Sequence, residues 1–310
     1  MIQVKEISNY KDYGRVLYLT NNVIEAAVTL DVGPRIIHFS FVDGQNILHT
    51  GRKEFGFMTD EKFTEFYGEG KRWENLGGHR LWLTPESYPE TYYPDQDPVA
   101  YTLTENGAVF TPPEEVENGI QKTIEIRMDK DDANMQVLMS AKNTGKKEKE
   151  FSLWGLSVCD RGGTLIIPMN TDNTGLLHNR IIAVWPYTDL KDERIFFGTK
   201  YITVKQDKEA KTPIKLGFDL KRQCAHYVLG ENVFTKRFAT NHGKAQYPDG
   251  GCSLETYTND IFIEVESLSQ IETVAPGHAV THTEGWSLTK KPCEVDFKDD
   301  ESIDNFLSKL

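Results

Sequence analysis

The sequence has few of the features that mark secreted or membrane proteins. Its 310 residues include only four cysteines, which lie far apart and form no Cys-x-x-Cys pair: Cys159, Cys224, Cys252 and Cys293. This pattern is typical of reduced structural thiols rather than of a disulfide framework or a zinc ribbon. Residues 1–6 lack a basic segment followed by an apolar one, and no later stretch approaches the roughly 18 consecutive apolar residues of a membrane helix. We therefore expect a cytoplasmic protein that does not contact membranes.

Positive charge and metal-binding motifs are also scarce. The chain has 35 Lys and Arg residues against 47 Asp and Glu residues, for a formal net charge of −12, whereas nucleic-acid-binding surfaces are usually basic. The eight histidines show no His-x-His or His-Glu-x-x-His spacing, and only His278 and His282 form a weak candidate pair. No Gly-x-Ser-x-Gly motif or phosphate-binding loop is present. We expect no nucleic-acid partner, no metal and no cofactor.

What the sequence does contain is short-range apolar alternation, which is typical of β-strands. Turn signals such as Asn-Gly and Asp-Gly separate strand-like stretches at 23–30, 35–41, 108–110, 121–127, 135–141, 150–158, 164–168, 181–185, 201–204, 214–218, 226–228, 253–257, 261–267 and 282–288. Helical periodicity is convincing only after Asp300, where Ile303, Phe306, Leu307 and Leu310 would share a face. The pattern predicts an all-β antiparallel sandwich, formed as a single domain over residues 1–310.

The segment 51–96 interrupts this alternation and is rich in Trp, Tyr, Gly and charged residues, so we expect a structured loop that forms a wall of a ligand cleft. Two glycines precede His79 and Arg80. Glycine lets a backbone approach a ligand closely, and these two side chains supply proton transfer and hydrogen-bond donors. A tight turn with solvated charges is the alternative. Further candidate contacts in this segment are Glu74, Asn75, Trp82 and Glu86.

Two carboxylates, Glu264 and Glu266, lie two residues apart in the apolar stretch 261–268. As a strand, this stretch would bury its isoleucines and valine on one face and place both glutamates on the other, ~6.6 Å apart along the strand. Carboxyl groups beside each other in a cleft raise each other's pKa, which suits acid–base catalysis, whereas on an outer face they would simply be solvated. A second pair on one face of the preceding hairpin is Glu255 and Tyr257.

Several short motifs together resemble the aldose 1-epimerases, or galactose mutarotases. The segment 31–37 (Asp-Val-Gly-Pro-Arg-Ile-Ile) resembles their early strand-turn-strand, and the Glu-Val-Glu at 264–266 followed by Ala-Pro-Gly-His at 275–278 resembles their C-terminal part. The motifs at 77–82, 185–189, 250–258 and 282–286 are similar to those of a separate branch of this superfamily. The resemblance implies a galactose mutarotase-like antiparallel supersandwich with a sugar site.

In such mutarotases a glutamate takes the proton of the anomeric hydroxyl while a histidine protonates the ring oxygen. The resemblance implies that Glu266 is this base, with Glu264 as the fallback. It gives no match for the histidine, because the corresponding stretch 151–156 is Phe-Ser-Leu-Trp-Gly-Leu. His79 is the replacement we consider, with Arg80 and Arg35 as substrate contacts.

Three functions remain open at this point. The first is an aldose 1-epimerase-like isomerase acting on a small-molecule carbohydrate. The second is a carbohydrate-binding or sensing domain that lost catalysis, which the missing histidine favours. The third is another carbohydrate enzyme on the same fold, such as a sugar-phosphate mutarotase or a lyase. The sequence specifies neither the sugar nor the oligomeric state.

Overall fold

The computed structural model describes residues 2–241, 245–308 and 310. Strands account for 45% of the chain and helices for 6%. The strands of the N-terminal half are β1 (Gln3–Ile7), β2 (Val16–Thr20), β3 (Ile24–Thr29), β4 (Ile36–Phe41), β5 (Phe57–Met58), β6 (Trp73–Glu74), β7 (Gly78–Thr84), β8 (Ala100–Thr104), β9 (Gly107–Thr111), β10 (Ile120–Met128), β11 (Asn134–Asn143) and β12 (Lys149–Cys159).

The remaining strands are β13 (Thr164–Pro168), β14 (Ile182–Val184), β15 (Ile195–Phe197), β16 (Tyr201–Lys205), β17 (Ile214–Phe218), β18 (Cys224–Leu229), β19 (Asn232–Phe238), β20 (Leu254–Thr258), β21 (Ile263–Leu268), β22 (Glu272–Val274) and β23 (Ala279–Lys290). The helices are α1 (Arg52–Phe55), α2 (Glu61–Tyr67) and α3 (Asp300–Leu307). No helix among the described residues has the length and apolar character to cross a bilayer.

Two large antiparallel sheets form the molecule. The larger sheet has the order β1-β2-β3-β4-β7-β12-β21-β20-β17-β14, with β22 also paired to β12, and the other has the order β15-β16-β13-β18-β19-β23-β11-β10-β9-β8. A shared apolar core lies between them, where Phe39 of the larger sheet packs edge-on against Phe234 and Trp286 of the other. The predicted all-β sandwich is confirmed.

The middle of the larger sheet is buried on both faces, and this is why its strands do not all show a simple apolar–polar alternation. In β12, every residue from Phe151 to Cys159 is buried. Alternate side chains such as Leu153 point into the core, while Trp154 and Leu156 point to the opposite, outer face. The outer face therefore carries large side chains that water does not surround.

The prediction that residues 51–96 form a loop is wrong for residues 78–84, which are strand β7. The residues of β7 form a central strand, in which His79 pairs with Ile36 of β4 and the other edge pairs with β12 from Gly78 to Thr84. Gly78 has a φ of 64°, and a Cβ there would lie 2.3 Å from the carbonyl oxygen of Ile36. This glycine therefore allows close approach of a neighbouring strand, not of a ligand.

The predicted C-terminal helix is confirmed over α3. Asp299 caps it by accepting a hydrogen bond from the backbone N–H of Glu301, and Ile303 and Phe306 are buried against the smaller sheet. Leu310 was expected on the same apolar face, but it lies beyond the end of the helix and is exposed.

Candidate functional site

A cleft opens on the outer face of the larger sheet, over the adjacent strands β7, β12, β21, β20 and β17. Its volume of about 310 Å³ is within the range of roughly 300–1,000 Å³ for small-molecule sites. Residues two apart on one strand share a face, so Arg80 and Trp82 of β7 both reach it. The floor of the cleft is thus formed by regular strands, whereas Asn75, Glu86, Tyr92, Tyr187 and Phe262 reach it from the loops between strands.

Aromatic rings form two walls of the cleft. On one side Trp82 lies 5.6 Å from Trp73, 5.6 Å from Trp154 and 5.0 Å from Tyr92, measured between ring centroids. The other wall consists of Tyr187, Tyr257 and Phe262, of which Tyr257 and Phe262 are 5.7 Å apart. Such rings provide flat apolar surfaces, and tyrosine and tryptophan add a polar edge.

Two cations lie against these rings, each bound to a carboxylate. Arg80 Nη2 donates to Glu264 Oε1 at 3.1 Å, and the Arg80 guanidinium carbon lies 4.2 Å from the ring centroid of Trp82. Lys215 Nζ lies 2.9 Å from Glu255 Oε2 and 3.2 Å from Glu266 Oε2. The cleft therefore combines apolar surfaces with charge-assisted hydrogen bonds.

Lys215 also contacts two indole rings. Its Nζ lies 4.6 Å from the ring centroid of Trp154 and 4.9 Å from that of Trp185. Trp154 in turn donates from Nε1 to Glu266 Oε2 at 2.8 Å. The ammonium group is thus held on one side by aromatic faces and on the other by carboxylates.

The three carboxyl groups differ in their access to the cleft. Glu264 lines it and is 6% exposed, whereas Glu255 and Glu266 are 0% exposed and lie beneath Lys215. In the sheet Glu255 and Glu266 are directly opposite each other on β20 and β21. Of the predicted pair, Glu264 lines the cleft, where a ligand can contact it, and Glu266 does not.

Burial and mutual repulsion determine how these groups titrate. Burial raises the pKa of Glu264 despite the opposing effect of Arg80, and the nearby Glu266 raises it further. Burial also raises the pKa of Glu255 well above its usual range, and Lys215 offsets this only in part. Burial lowers the pKa of Lys215, but the carboxylates of Glu266 and Glu255 outweigh it and raise that pKa overall.

These three pKa shifts are consistent with one another if one of the three carboxyl groups in the site carries a proton. Within the described residues, Glu255, Glu264 and Glu266 form ion pairs with two cations, Arg80 and Lys215. A site with three ionised carboxylates would therefore carry an uncompensated buried negative charge, which is costly. The raised pKa values of Glu255 and Glu264 agree with a site that keeps one proton on its carboxyl groups.

Several buried hydrogen-bond donors of the cleft have no partner among the described residues. They are Nε and Nη1 of Arg80 and Nε1 of Trp73. Buried donors without partners are uncommon in folded proteins and are expected where a polar ligand binds. These atoms are buried behind the cleft surface, and a ligand reaches them only after the surrounding side chains shift.

The structure brings six of the predicted site residues to the cleft wall and leaves two just below it. Those on the wall are Asn75, Arg80, Trp82, Glu86, Tyr257 and Glu264. The two below it are Glu255 and Glu266. Glu86 accepts a hydrogen bond from Tyr92, and Asn75 accepts one from the backbone N–H of Gly77.

His79 lies on the opposite face of the larger sheet from the cleft. It is 0% exposed, its Nδ1 is 2.9 Å from Ser157 Oγ, and its ring packs edge-on against Trp286 at 5.0 Å. Burial, together with the nearby charge of Lys236, lowers the pKa of His79 well below its usual range. The predicted role as proton donor in the cleft finds no support in this placement, because successive residues of a strand point to opposite faces.

Arg35 and Glu74 also lie away from the cleft. Arg35 is buried in an ion pair with Asp95, and Glu74 is held between Arg52 and Arg72 at 2.6 Å from each. Their charges are therefore satisfied within the fold. Neither lines the cleft in the part of the chain that the structure describes.

The sequence reasoning missed Lys215 altogether, although it contributes the central cation. Its strand, Ile-Lys-Leu-Gly-Phe, reads as a buried strand with one solvated lysine. In the sequence, Trp154 stands out only as part of the stretch 151–156, which lacks the histidine that the resemblance implies. The motif at 185–189 was the one usable signal, since its Trp185 and Tyr187 both reach this site.

Among the described residues, no group of three or more His, Cys, Asp or Glu side chains is arranged to hold a metal ion.

No protein-family model and no curated protein sequence matches this chain. Several solved structures do match it. A candidate aldose 1-epimerase from Klebsiella pneumoniae has a TM-score of 0.61 at 10% identity, covering 100% of this chain and 88% of its own. A candidate mutarotase from Salmonella typhimurium has a TM-score of 0.59 at 10% identity, covering 93% and 94%. A galactose mutarotase-like protein from Lactobacillus casei has a TM-score of 0.55 at 11% identity, covering 88% and 100%. Such identities establish the fold alone: the chain has the galactose mutarotase-like fold.

Proposed function

We propose that the cleft binds a free aldose and interconverts its anomers, with Glu264 as the proton acceptor. The observation that carries this proposal is the position of Glu264. It lies on the cleft wall in the central strand β21, it is bound by Arg80, and aromatic rings surround it. The fold shared with candidate aldose 1-epimerases and mutarotases supports the same class of reaction.

The composition of the cleft suits a sugar ring. The apolar C–H face of a pyranose matches the ring of Trp82 or Trp154. Its hydroxyl groups match the charged side chains on the cleft wall, Arg80, Lys215 and Glu264. Four unpaired thiols agree with the expectation of a reducing compartment such as the cytoplasm.

Glu264 has the properties of a general base at neutral pH. Its raised pKa means that the carboxylate binds a proton more readily than an ordinary glutamate does. In the reaction it would take the proton of the anomeric hydroxyl, so that C1 becomes an aldehyde carbon and the bond from C1 to the ring oxygen breaks. Rotation about the C1–C2 bond and reclosure on the other face give the second anomer.

This proposal is tested by measuring anomer exchange with NMR for a panel of aldoses and aldose 6-phosphates. Glu264→Gln should lower the catalysed rate by about 10²–10⁴, because the amide keeps the shape of the carboxylate but accepts no proton. Glu74→Gln is the matched control: it removes a carboxylate whose partners, Arg52 and Arg72, lie outside the cleft. An equal rate for Glu264→Gln and the wild type would refute the role of Glu264.

A second candidate is a domain that binds sugar without turnover. It is favoured by the pairing of the cleft's acidic and basic groups with each other, Arg80 with Glu264 and Lys215 with Glu266. Titration calorimetry with the same panel separates the two. Sugar binding that Trp82→Ala abolishes, without accelerated exchange for any sugar, would favour the binding domain.

A further inference from the structure

The proposed reaction needs a proton donor as well as an acceptor. When the bond from C1 to the ring oxygen breaks, its electron pair goes to that oxygen, which must take up a proton. Among the residues that the structure describes, no histidine lines the cleft, and His79 faces the core. Among the side chains that do line the cleft, the groups able to donate a proton are of other kinds.

Lys215 is the cation with the right placement. It comes from β17 on the side of the cleft opposite β7, which carries Arg80, and it lines the cleft although only 6% of it is exposed. Two of its contacts are the carboxylates of Glu255 and Glu266 beneath it. An ammonium group has three N–H bonds, so one is left for a ligand.

Glu255 is the carboxyl group least compensated by its surroundings. Glu264 is hydrogen-bonded by Arg80, and Glu266 by both Trp154 and Lys215. Glu255 contacts only Lys215, and neither of its oxygens makes a hydrogen bond of good geometry within the described residues. If the site keeps one proton on three carboxyl groups, this is the group that holds it.

We propose that Lys215 donates the proton to the ring oxygen while Glu255, 2.9 Å behind it, passes its own proton to Lys215, so that the lysine stays an ammonium group throughout. This inference rests on the proposed mutarotation. The protons balance: Glu264 gains the one from the anomeric hydroxyl, the ring oxygen gains one from Lys215, and Glu255 becomes a carboxylate. Ring closure runs every transfer in reverse. Lys215 is then a catalytic residue, and Glu255 acts through it as a positioning residue.

The surroundings of Glu255 support its role as the stored acid. Burial raises its pKa most, and the negative charges of Glu266 on β21 and Asp249 in the preceding turn raise it further. Around Lys215 the titratable groups on neighbouring elements are Arg80, Tyr187, Glu255, Tyr257, Glu264 and Glu266. Two carboxyl groups in one cleft, one that accepts and one that holds a proton, are the usual arrangement for acid–base work.

The test compares kcat, KM and the pH profile for the aldose that the wild type turns over fastest. Glu255→Gln should lower kcat by about 10²–10⁴ with little change in KM, and the basic limb of the kcat profile, where Glu255 loses its proton, should disappear. Glu255→Asp should restore part of kcat. Lys215→Arg should keep KM but lose kcat, since a guanidinium group does not release a proton. Glu209→Gln, at an exposed site, is the control.

Infrared difference spectra between the wild type and Glu255→Gln give a readout that needs no turnover. A protonated carboxyl band at neutral pH that the variant lacks supports the inference, and its absence from the wild type overturns it. If Glu264→Gln stops exchange while Glu255→Gln and Lys215→Arg keep the wild-type kcat, the relay is wrong and the proposed function stands. If the wild type accelerates no exchange, both are wrong.

Discussion

Two buried lysines lie on opposite sides of the larger sheet, and they differ in what surrounds them. Lys215, at the cleft, contacts two carboxylates and two indole rings, and its pKa is raised. Lys236 of β19, between the sheets, is 0% exposed. It contacts one carboxylate, Glu284, at 2.8 Å, and burial lowers its pKa. Whether a buried lysine holds its proton more tightly or less tightly therefore depends on how many carboxylates offset the loss of hydration.

The partners of Lys236 show that its role is structural. Its ammonium group donates to the carbonyl oxygens of Gly155 and Val265, each at 2.8 Å, and to Ser157 Oγ at 3.1 Å. These groups belong to β12 and β21, the two strands whose other face carries Trp154 and Glu264. Lys236 thus links β12 and β21 from the inner face of the sheet and keeps aligned two of the strands that form the cleft.

The largest predicted effect contrasts the two lysines directly. Lys236→Met should lower the free energy of unfolding by about 3–5 kcal/mol, because it leaves Glu284 buried without its cation. Lys215→Met should cost less stability, because Lys215 borders an open cleft that water can enter, whereas Glu284 lies fully buried between the sheets. Urea unfolding measures both, with the exposed Lys208→Met as the control.

A double variant tests whether the unpaired charge of Glu284 causes the loss of stability in Lys236→Met. The double variant Lys236→Met/Glu284→Gln should recover part of the lost stability, since it removes the unpaired charge. Equal losses for the two single lysine variants would contradict the structural role assigned to Lys236.

The next largest predicted effect concerns how tightly side chains pack around two glycines between the sheets. A Cβ added at Gly155 would lie 2.3 Å from Glu284 Oε1 and 2.8 Å from Met139 Cε, whereas one at Gly285 would have its nearest neighbour at 3.8 Å. Gly155→Ala should therefore lower the free energy of unfolding by about 2–3 kcal/mol, and Gly285→Ala should leave it nearly unchanged. Thermal unfolding of the two variants checks this, and similar midpoints would show that the inner face is not tightly packed.

The smallest effect is a pH dependence that arises on the inner face. His282 Nε2 lies 2.7 Å from Ser267 Oγ, near Lys236, and burial lowers its pKa from 6.5 to about 3. The unfolded chain therefore takes up this proton first as the pH falls, so the stability that neutral His282 contributes is complete above pH 6.5 and is lost toward pH 3.

In the wild type, His282 should lower the free energy of unfolding by roughly 2 kcal/mol between pH 7 and pH 5, at 1.36 kcal/mol for each pH unit below 6.5. The variant His282→Gln should lack this part of the pH dependence. Unfolding curves at several pH values measure the difference, and the exposed His278→Gln is the control. If both variants show the wild-type pH dependence, His282 is not the group responsible.

The strand pattern predicted much of the fold because alternation is a local property. It indicated the strands around 121–127, 135–141 and 150–158, and it placed Glu264 and Glu266 on one face. It missed β7 because glycine, histidine and arginine at the start of this strand read as a turn. Only the pairing with β4 and β12 makes that segment a central strand.

The sequence by itself determined that Glu255 and Tyr257 share a face, as do Glu264 and Glu266, because side chains on a strand repeat every two residues. Only the tertiary structure decided which face of each strand became the cleft and which became the core. It also decided that 78–84 is a strand, which put His79 and Arg80 on opposite faces, and the pairing of β17, β20 and β21 brought Lys215 to Glu255 and Glu266 from 40 or more positions away. The physical reason is that packing a second sheet against one face buries all of that face at once, and no local pattern specifies which face it covers.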